Sequence, residues 1–239
     1  MKLKRIIKYL FMPIFIGVLV FLFIFSNQRN TQKSIKKIDV QFESEEPYFL
    51  THEIVNKLLI QSKLISNEIL KSNLNLKEIE GVILSNEYVS SVEVSISIEG
   101  KVGVNIIEKN PVFRVLNEEY YIDSNGKKMP LSKNFSEICP MILSDVDSID
   151  FIMFGDLGLF LKNDKFLSNH IAGLTKSNNK LIFNIDGFKY NLNLIGDTNY
   201  VSKLKKYEVF FNTVYSSGLL DSLKSVNLDF KNQVIIQRK

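Results

Sequence analysis

The side chains in this chain suited to proton transfer, metal ligation or nucleophilic attack are two histidines, one cysteine and a scatter of aspartates and glutamates. His52 and His170 stand far apart, and neither belongs to a His-Glu-x-x-His or comparable ligand spacing. His52 follows a residue placed to cap a helix and His170 lies in a polar stretch that reads as a loop, so both are taken as structural. Cys139 sits in an apolar run just before Pro140, the setting of an inert buried thiol. As the single cysteine it also excludes an internal disulfide. Asp123-Ser124-Asn125-Gly126 opens like a calcium loop, but the ligand spacing fails directly after it, and a hairpin turn is the better account. No Gly-x-Ser-x-Gly, P-loop or Gly-x-Gly-x-x-Gly occurs. Asp123, Asp186 and Asp197 are the aspartates an anchored carboxylate hydrolase would use, although a chain without Trp is poorly equipped for a sugar cleft. The expectation is a protein that is not an enzyme and takes no cofactor, no metal and no small-molecule substrate.

Composition supports a chain that works by being held in place. At 239 residues, 45% hydrophobic and 23% charged, with 11 Gly and 5 Pro, it is neither disordered nor fibrous. The net charge of +4 hides an asymmetry: residues 1–37 carry eight Lys or Arg and no acid, which leaves residues 38–239 at −4. An acidic main part argues against nucleic acid as a partner. From Ile6 to Phe25 the only charge is Lys8, and Leu10 to Phe25 is unbroken apolar sequence, long enough to cross a bilayer. Lys8, near one end, can snorkel to the headgroups. Bulky Phe21, Phe23 and Phe25 precede Ser26-Asn27-Gln28 where a cleaved signal would need small residues, so the segment reads as an uncleaved anchor. Lys2, Lys4, Arg5 and Lys8 on one side balance Arg29, Lys33, Lys36 and Lys37 on the other. The α-amino group and the absence of a second span favour a cytoplasmic N-terminus with the remainder exported. The resulting boundaries are a cytoplasmic tail 1–8, a transmembrane helix 9–26, a linker 27–37 and two domains, 38–113 and 114–239.

Ile38, Val40 and Phe42 alternate with polar residues as in a half-buried strand. After Pro47, a helix from Thr51 buries Ile54, Val55, Leu58 and Leu59. A second begins where Asn75 and Glu78 are spaced as a cap and its reciprocal partner. Val92 to Ile98 and Val102 to Ile106 alternate strictly around Gly100-Lys101 and predict a hairpin. The order β-α-α-β-β predicts a three-stranded sheet with two helices on one face. Beyond it, the sequence predicts a hairpin at Asp123–Gly126 with φ > 0 at Asn125-Gly126 and a buried strand Cys139–Leu143. A helix Ile149–Leu161 follows, weakened by Gly155 and Gly158. A hairpin Lys180–Ile185/Phe188–Ile195, a helix Thr198–Tyr215 capped by Gly218 and a strand Val226–Gln237 complete the chain.

This arrangement resembles the FtsQ/DivIB cell-division family. Glu108-Lys109-Asn110-Pro111-Val112 is similar to the signature leaving the family's POTRA domain, and Tyr121-Ile122-Asp123-x-x-Gly126 to the turn opening its β domain. Gly196-Asp197, followed by Lys203-Leu204 and Tyr207, resembles the loop-to-helix segment before the last strand, and Val226-Asn227-Leu228-Asp229-Phe230 resembles Val-Asp-Leu-Arg-aromatic. Asp229 replaces a basic residue there, which puts a charge contact of the relatives in doubt. Rich Lys, Asn and Ile and the ending Lys231-Asn232-Gln233-Val234 look most like Bacteroidetes members. The resemblance implies an α+β fold: one transmembrane helix, a POTRA domain and a mixed β-sheet domain with helices. It also implies a non-catalytic divisome scaffold in the plasma membrane at the septum, with periplasmic domains. The implied partners are an FtsB/FtsL-like coiled-coil pair and, through it, the septal peptidoglycan synthase FtsW/FtsI. A single-POTRA protein of secretion or outer-membrane assembly is the alternative.

In that family the final strand is an open edge that accepts a partner strand. Here Val226, Leu228, Phe230, Val234 and Ile236 share an apolar face broken by Asn232, while Ile235 stands out among Lys231, Gln233 and Gln237. The candidate partner-binding residues are Phe230, Lys231, Asn232, Gln233, Val234, Ile235, Ile236 and Arg238. Phe230, Ile235 and Arg238 are expected to set register and specificity, and Val234→Pro to remove a backbone donor. Asn232-Gln233 is alternatively a turn, which splits the segment into a hairpin and moves the edge to Val234–Arg238.

Overall fold

The computed structural model describes residues 2–33, 35, 37–43, 49–62, 70–71, 74–195, 199–231 and 233–239, and of residues 2–11 and Thr31 the backbone only. Lys36, Pro47, Gly196, Asp197, Thr198 and Asn232, and the side chain of Lys8, lie outside the described residues. The chain divides into two compact units, Met1–Glu108 and Lys109–Lys239.

The first unit starts with helix α1 (Lys2–Thr31), which carries Pro13. Within it Met12–Asn30 is long and apolar enough to cross a membrane, and none of that stretch is buried. The helix continues past Phe25 through Ser26–Asn30, where no Gly or Pro stops it. Strand β1 (Lys37–Phe42), helices α2 (His52–Gln61) and α3 (Leu76–Leu84), and strands β2 (Val89–Ile96) and β3 (Lys101–Glu108) follow in the β-α-α-β-β order. The sheet order is β1-β3-β2, with β1 parallel and β2 antiparallel to β3. A parallel neighbour requires a crossover, and α2 and α3 lie within it. Thr51 caps α2 through Oγ1, which accepts the Ile54 N–H at 3.3 Å, and Asn75 Oδ1 caps α3 at the Glu78 N–H, 3.4 Å. Val55 and Leu59 of α2 and Ile79 and Ile83 of α3 are buried against Val94, Val102, Val104 and Ile106 of the sheet. Glu108 Oε1, at the end of β3, accepts the N–H groups of Phe49 and Leu50 at 3.1 and 2.6 Å and fixes the approach to α2.

The second unit is one nine-stranded sheet with helices packed on it. In chain order it comprises β4 (Pro111–Val115), β5 (Tyr120–Asp123), β6 (Lys128–Pro130), β7 (Met141–Ile142), α4 (Phe151–Asn163), α5 (Leu167–His170), β8 (Ile171–Ser177), β9 (Lys180–Ile185), β10 (Asn191–Ile195), α6 (Tyr200–Val214), β11 (Leu223–Asn227) and β12 (Ile235–Arg238). The order across the sheet is β12-β11-β10-β9-β8-β7-β4-β5-β6, with parallel pairs β10/β11, β4/β7 and β7/β8. Buried residues of alternate strand positions, such as Phe113, Leu174, Phe183, Leu192 and Val226, form one core with Phe154 and Leu157 of α4 and Leu204, Tyr207 and Phe211 of α6.

Several expectations are corrected. Strand β8 went unread, and His170 is not in a polar loop. It closes α5, stacks on Phe166 with ring centroids 3.9 Å apart and meets the Phe211 ring edge-on at 4.6 Å. Cys139–Leu143 contributes only the two-residue strand β7, which enters the sheet between β4 and β8. Strand β10 begins at Asn191, not Phe188: Phe188 and Tyr190 are drawn to α6, Phe188 by the Phe211 ring (5.6 Å) and Tyr190 by the Tyr207 hydroxyl (2.9 Å). Burial raises the pKa of Tyr190 and, with the Tyr190 hydroxyl beside it, that of Tyr207.

At the β5–β6 turn Gly126 has φ +67°, whereas Asn125 does not enter the left-handed region. The turn is held instead by Asp123, fully buried, whose Oδ1 accepts the N–H groups of Asn125 (2.9 Å) and Lys127 (2.7 Å). The two glycines that weakened the α4 expectation are what allow that helix to dock. A Cβ on Gly155 would lie 2.6 Å from Gly126 N, and one on Gly158 2.5 Å from Val112 Cγ2. Gly155→Ala therefore meets rigid backbone and is expected to cost about 1–3 kcal/mol. Gly81→Ala in α3 meets nothing within 4 Å and is expected to stabilise by about 0.5–1 kcal/mol. Chemical denaturation of the two variants checks both signs.

Candidate functional site

Helix α6 is amphipathic, yet its buried face carries a cation. Leu204, Tyr207 and Phe211 enter the core, and Lys203 is buried with them. A lysine there must have partners. Lys203 Nζ donates to the carbonyl oxygen of Ile195 at the end of β10 (3.2 Å) and to Asp229 Oδ1 (3.1 Å). The same Asp229 oxygen accepts the Ile195 N–H at 2.7 Å. One helical turn on, Lys206 Nζ donates to the carbonyl oxygens of Leu228 (2.7 Å) and Phe230 (2.6 Å). Burial, helped by the neighbouring Lys203 ammonium, pulls Lys206 below the usual lysine range, and Asp229 opposes that pull.

These bonds explain why Val226–Gln237 is not one strand. Strand β11 stops at Asn227, Asp229 turns into the β10–α6 corner, and the chain returns as β12, antiparallel to β11. The hairpin alternative is the observed one. Val226 and Leu228 are buried as the alternation requires, but Phe230 leaves the sheet at the bend and is 47% exposed. Lys231 and Gln233 are exposed in the turn, Val234 and Ile236 pack against the core, Ile235 is 44% exposed, and Arg238 is exposed opposite Leu223. Asn232 lies outside the described residues.

Among the described strands β12 pairs with β11 alone and stands at the end of the sheet. The register shift between Leu223 and Ser225 places an extra residue in β11, so β12 itself stays regular. Lys239 donates its N–H to Ser222 O at 3.0 Å. Backbone direction alternates along a strand, so Gln237 and Ile235 also face β11, whereas Ile236 and Arg238 turn their N–H and C=O groups outward. Between α6 and the β11–β12 connection lies a groove of about 900 Å³, lined by Val209, Phe210 and Thr213 of α6, by Leu228, Phe230 and Val234, and by Lys205, Lys206 and Lys231. The sequence points to the terminal segment 226–238, as one strand or a hairpin, and assigns nothing to Lys206. Its signal is a second lysine beside the apolar stripe of α6, one turn from Lys203.

His52 is exposed, with its ring edge-on to Phe42 at 5.0 Å. Burial, with Glu137 nearby, pushes the Cys139 thiol up to about 12. Asp123 holds its turn and Asp186 is exposed beside Gly187, while Asp197 is outside the described residues. Among the described residues no group of three or more His, Cys, Asp or Glu side chains is placed to hold a metal.

Residues 110–236, more than half of the chain, match the family described as FtsQ/DivIB, C-terminal related. The chain belongs to that family. Its role therefore lies in cell division, among the interacting proteins of the division machinery, and its apolar N-terminal helix fits a single-pass membrane protein. The major extracytoplasmic domain of the trans isomer of the cell division protein DivIB from Geobacillus stearothermophilus is similar over 46% of this chain and 96% of its own, at 11% identity and a TM-score of 0.35. No curated protein matches the chain. In this FtsQ/DivIB-related chain the motif position held by Asp229 is tied inward to Lys203 and Ile195, so its charge is spent on the fold. Lys203→Met leaves Asp229 half-buried without its cation and is expected to destabilise the protein by about 2 kcal/mol. Adding Asp229→Asn should recover a large part of that loss, as a double-mutant cycle in urea would show.

Proposed function

We propose that this protein is a non-enzymatic, single-pass scaffold of the divisome that captures an FtsB/FtsL-like coiled-coil pair by adding a partner strand to β12. Its N-terminus is cytoplasmic, and its POTRA-like unit (38–113) and β domain (114–239) lie in the periplasm at the septum. Through the captured pair it helps to control the septal synthase FtsW/FtsI. The observation that carries this reading is the end position of β12, with the backbone groups of Ile236 and Arg238 turned away from β11. Main-chain hydrogen bonds give affinity in such additions, and flanking side chains give register. Phe230, Ile235 and Arg238 supply those side chains. Lys231 and Val234 line the groove, with Asn232 and Gln233 between them in sequence.

The hairpin sharpens the proline test. Ile236→Pro removes an outward donor from an edge strand, where proline is tolerated. It is expected to weaken capture of the coiled-coil pair roughly tenfold or more and to abolish midcell localisation, while the protein remains folded in the membrane. Ile236→Ala keeps the donor and should retain capture. Equal capture by the proline variant and the wild type in co-purification would overturn the strand-addition reading.

A further inference from the structure

Strand β2 is also terminal: in the order β1-β3-β2 it pairs with β3 and with no other described strand. Ser97 donates its N–H to Lys101 O at 2.9 Å, so Ser95 and Glu93 likewise face β3, and Val92, Val94 and Ile96 turn their N–H groups outward. The central one of these three is occupied. Glu80, on the flank of α3 next to buried Ile79, reaches over the sheet margin, and its Oε1 accepts the Val94 N–H at 3.1 Å.

A carboxylate from a covering helix on the middle donor of an edge strand is a device against strand pairing, because an incoming backbone must first displace it. The strand needs such a device. Antiparallel pairing of two copies centred on Val94 places Glu93 opposite Ser95 of the other copy, Val92 opposite Ile96, and Ser91 opposite Ser97. No like charges meet, and the half-buried Val92 and Ile96 side chains align. We propose that Glu80 is a guard that holds the β2 edge shut against a second copy of this chain. Strand addition is thereby barred from the β2 edge of the first unit. The guard is a hydrogen-bond acceptor, so it works through its oxygen rather than through its charge alone.

The experiment uses the full chain in micelles. In Glu80→Ala, amide exchange at Val94 is expected to rise about tenfold or more, while Ser97 and the β3 amides keep their protection and report an intact fold. In a Cys139→Ser background, mixing Glu93→Cys chains with Ser95→Cys chains tests the register: a cross-linked dimer is expected when both also carry Glu80→Ala, and monomer when Glu80 is present. Glu80→Gln keeps an acceptor oxygen and should behave as wild type. Unchanged Val94 exchange in Glu80→Ala overturns the guard. Faster exchange with no cross-link at any protein concentration overturns the self-pairing it is proposed to prevent.

Discussion

Asp229 accepts the Ile195 N–H (2.7 Å) and the Lys203 ammonium (3.1 Å), so a side chain takes over from the backbone ladder where β10 and β11 part. The last backbone bond between those strands runs from Leu228 N to Asn193 O. Beyond it the ladder has no further partner, because the chain has been pulled toward α6. Lys206 then holds the Leu228 and Phe230 carbonyls, and the polypeptide reverses. Without this corner the terminal segment would run on as one strand. With it, a second strand is laid outside the first, and the margin of the sheet moves to β12.

The corner costs the burial of a lysine, which is tolerated because its bonds to the Ile195 carbonyl oxygen and to Asp229 are charge-assisted. The opposite part of the sheet relies on a different constraint, close approach. Gly155 and Gly158 let α4 settle onto Gly126 and Val112, and the Asp123 carboxylate shapes the turn that receives the helix. One end is thus fixed by electrostatic ties and the other by the absence of side chains.

Two of the terminal strands, β2 and β12, are treated differently. The middle outward donor of β2 is capped by Glu80. On β12, long side chains from α6 reach the preceding bend and leave the strand itself aside.

Local pattern alone located the apolar N-terminal helix, the β-α-α-β-β unit and its caps Thr51 and Asn75, since each follows from interactions within a few residues. The hairpin at Asp123–Gly126 was legible from its turn residues, although the carboxylate of Asp123, not Asn125, turned out to hold it. The same local rules misplace Phe188 and set His170 in a loop, because both rings pack on Phe211 of α6, 23 and 41 residues downstream; they also give no signal for β8. They also left the last segment open between one strand and two. Alternation of Val226, Leu228, Phe230, Val234 and Ile236 is compatible with either. The choice rests on Lys203 and Lys206, which reach Asp229 and its neighbours only after the helix has docked. Spacing along the chain records which face of an element is apolar, but not which distant side chain will compete for its backbone.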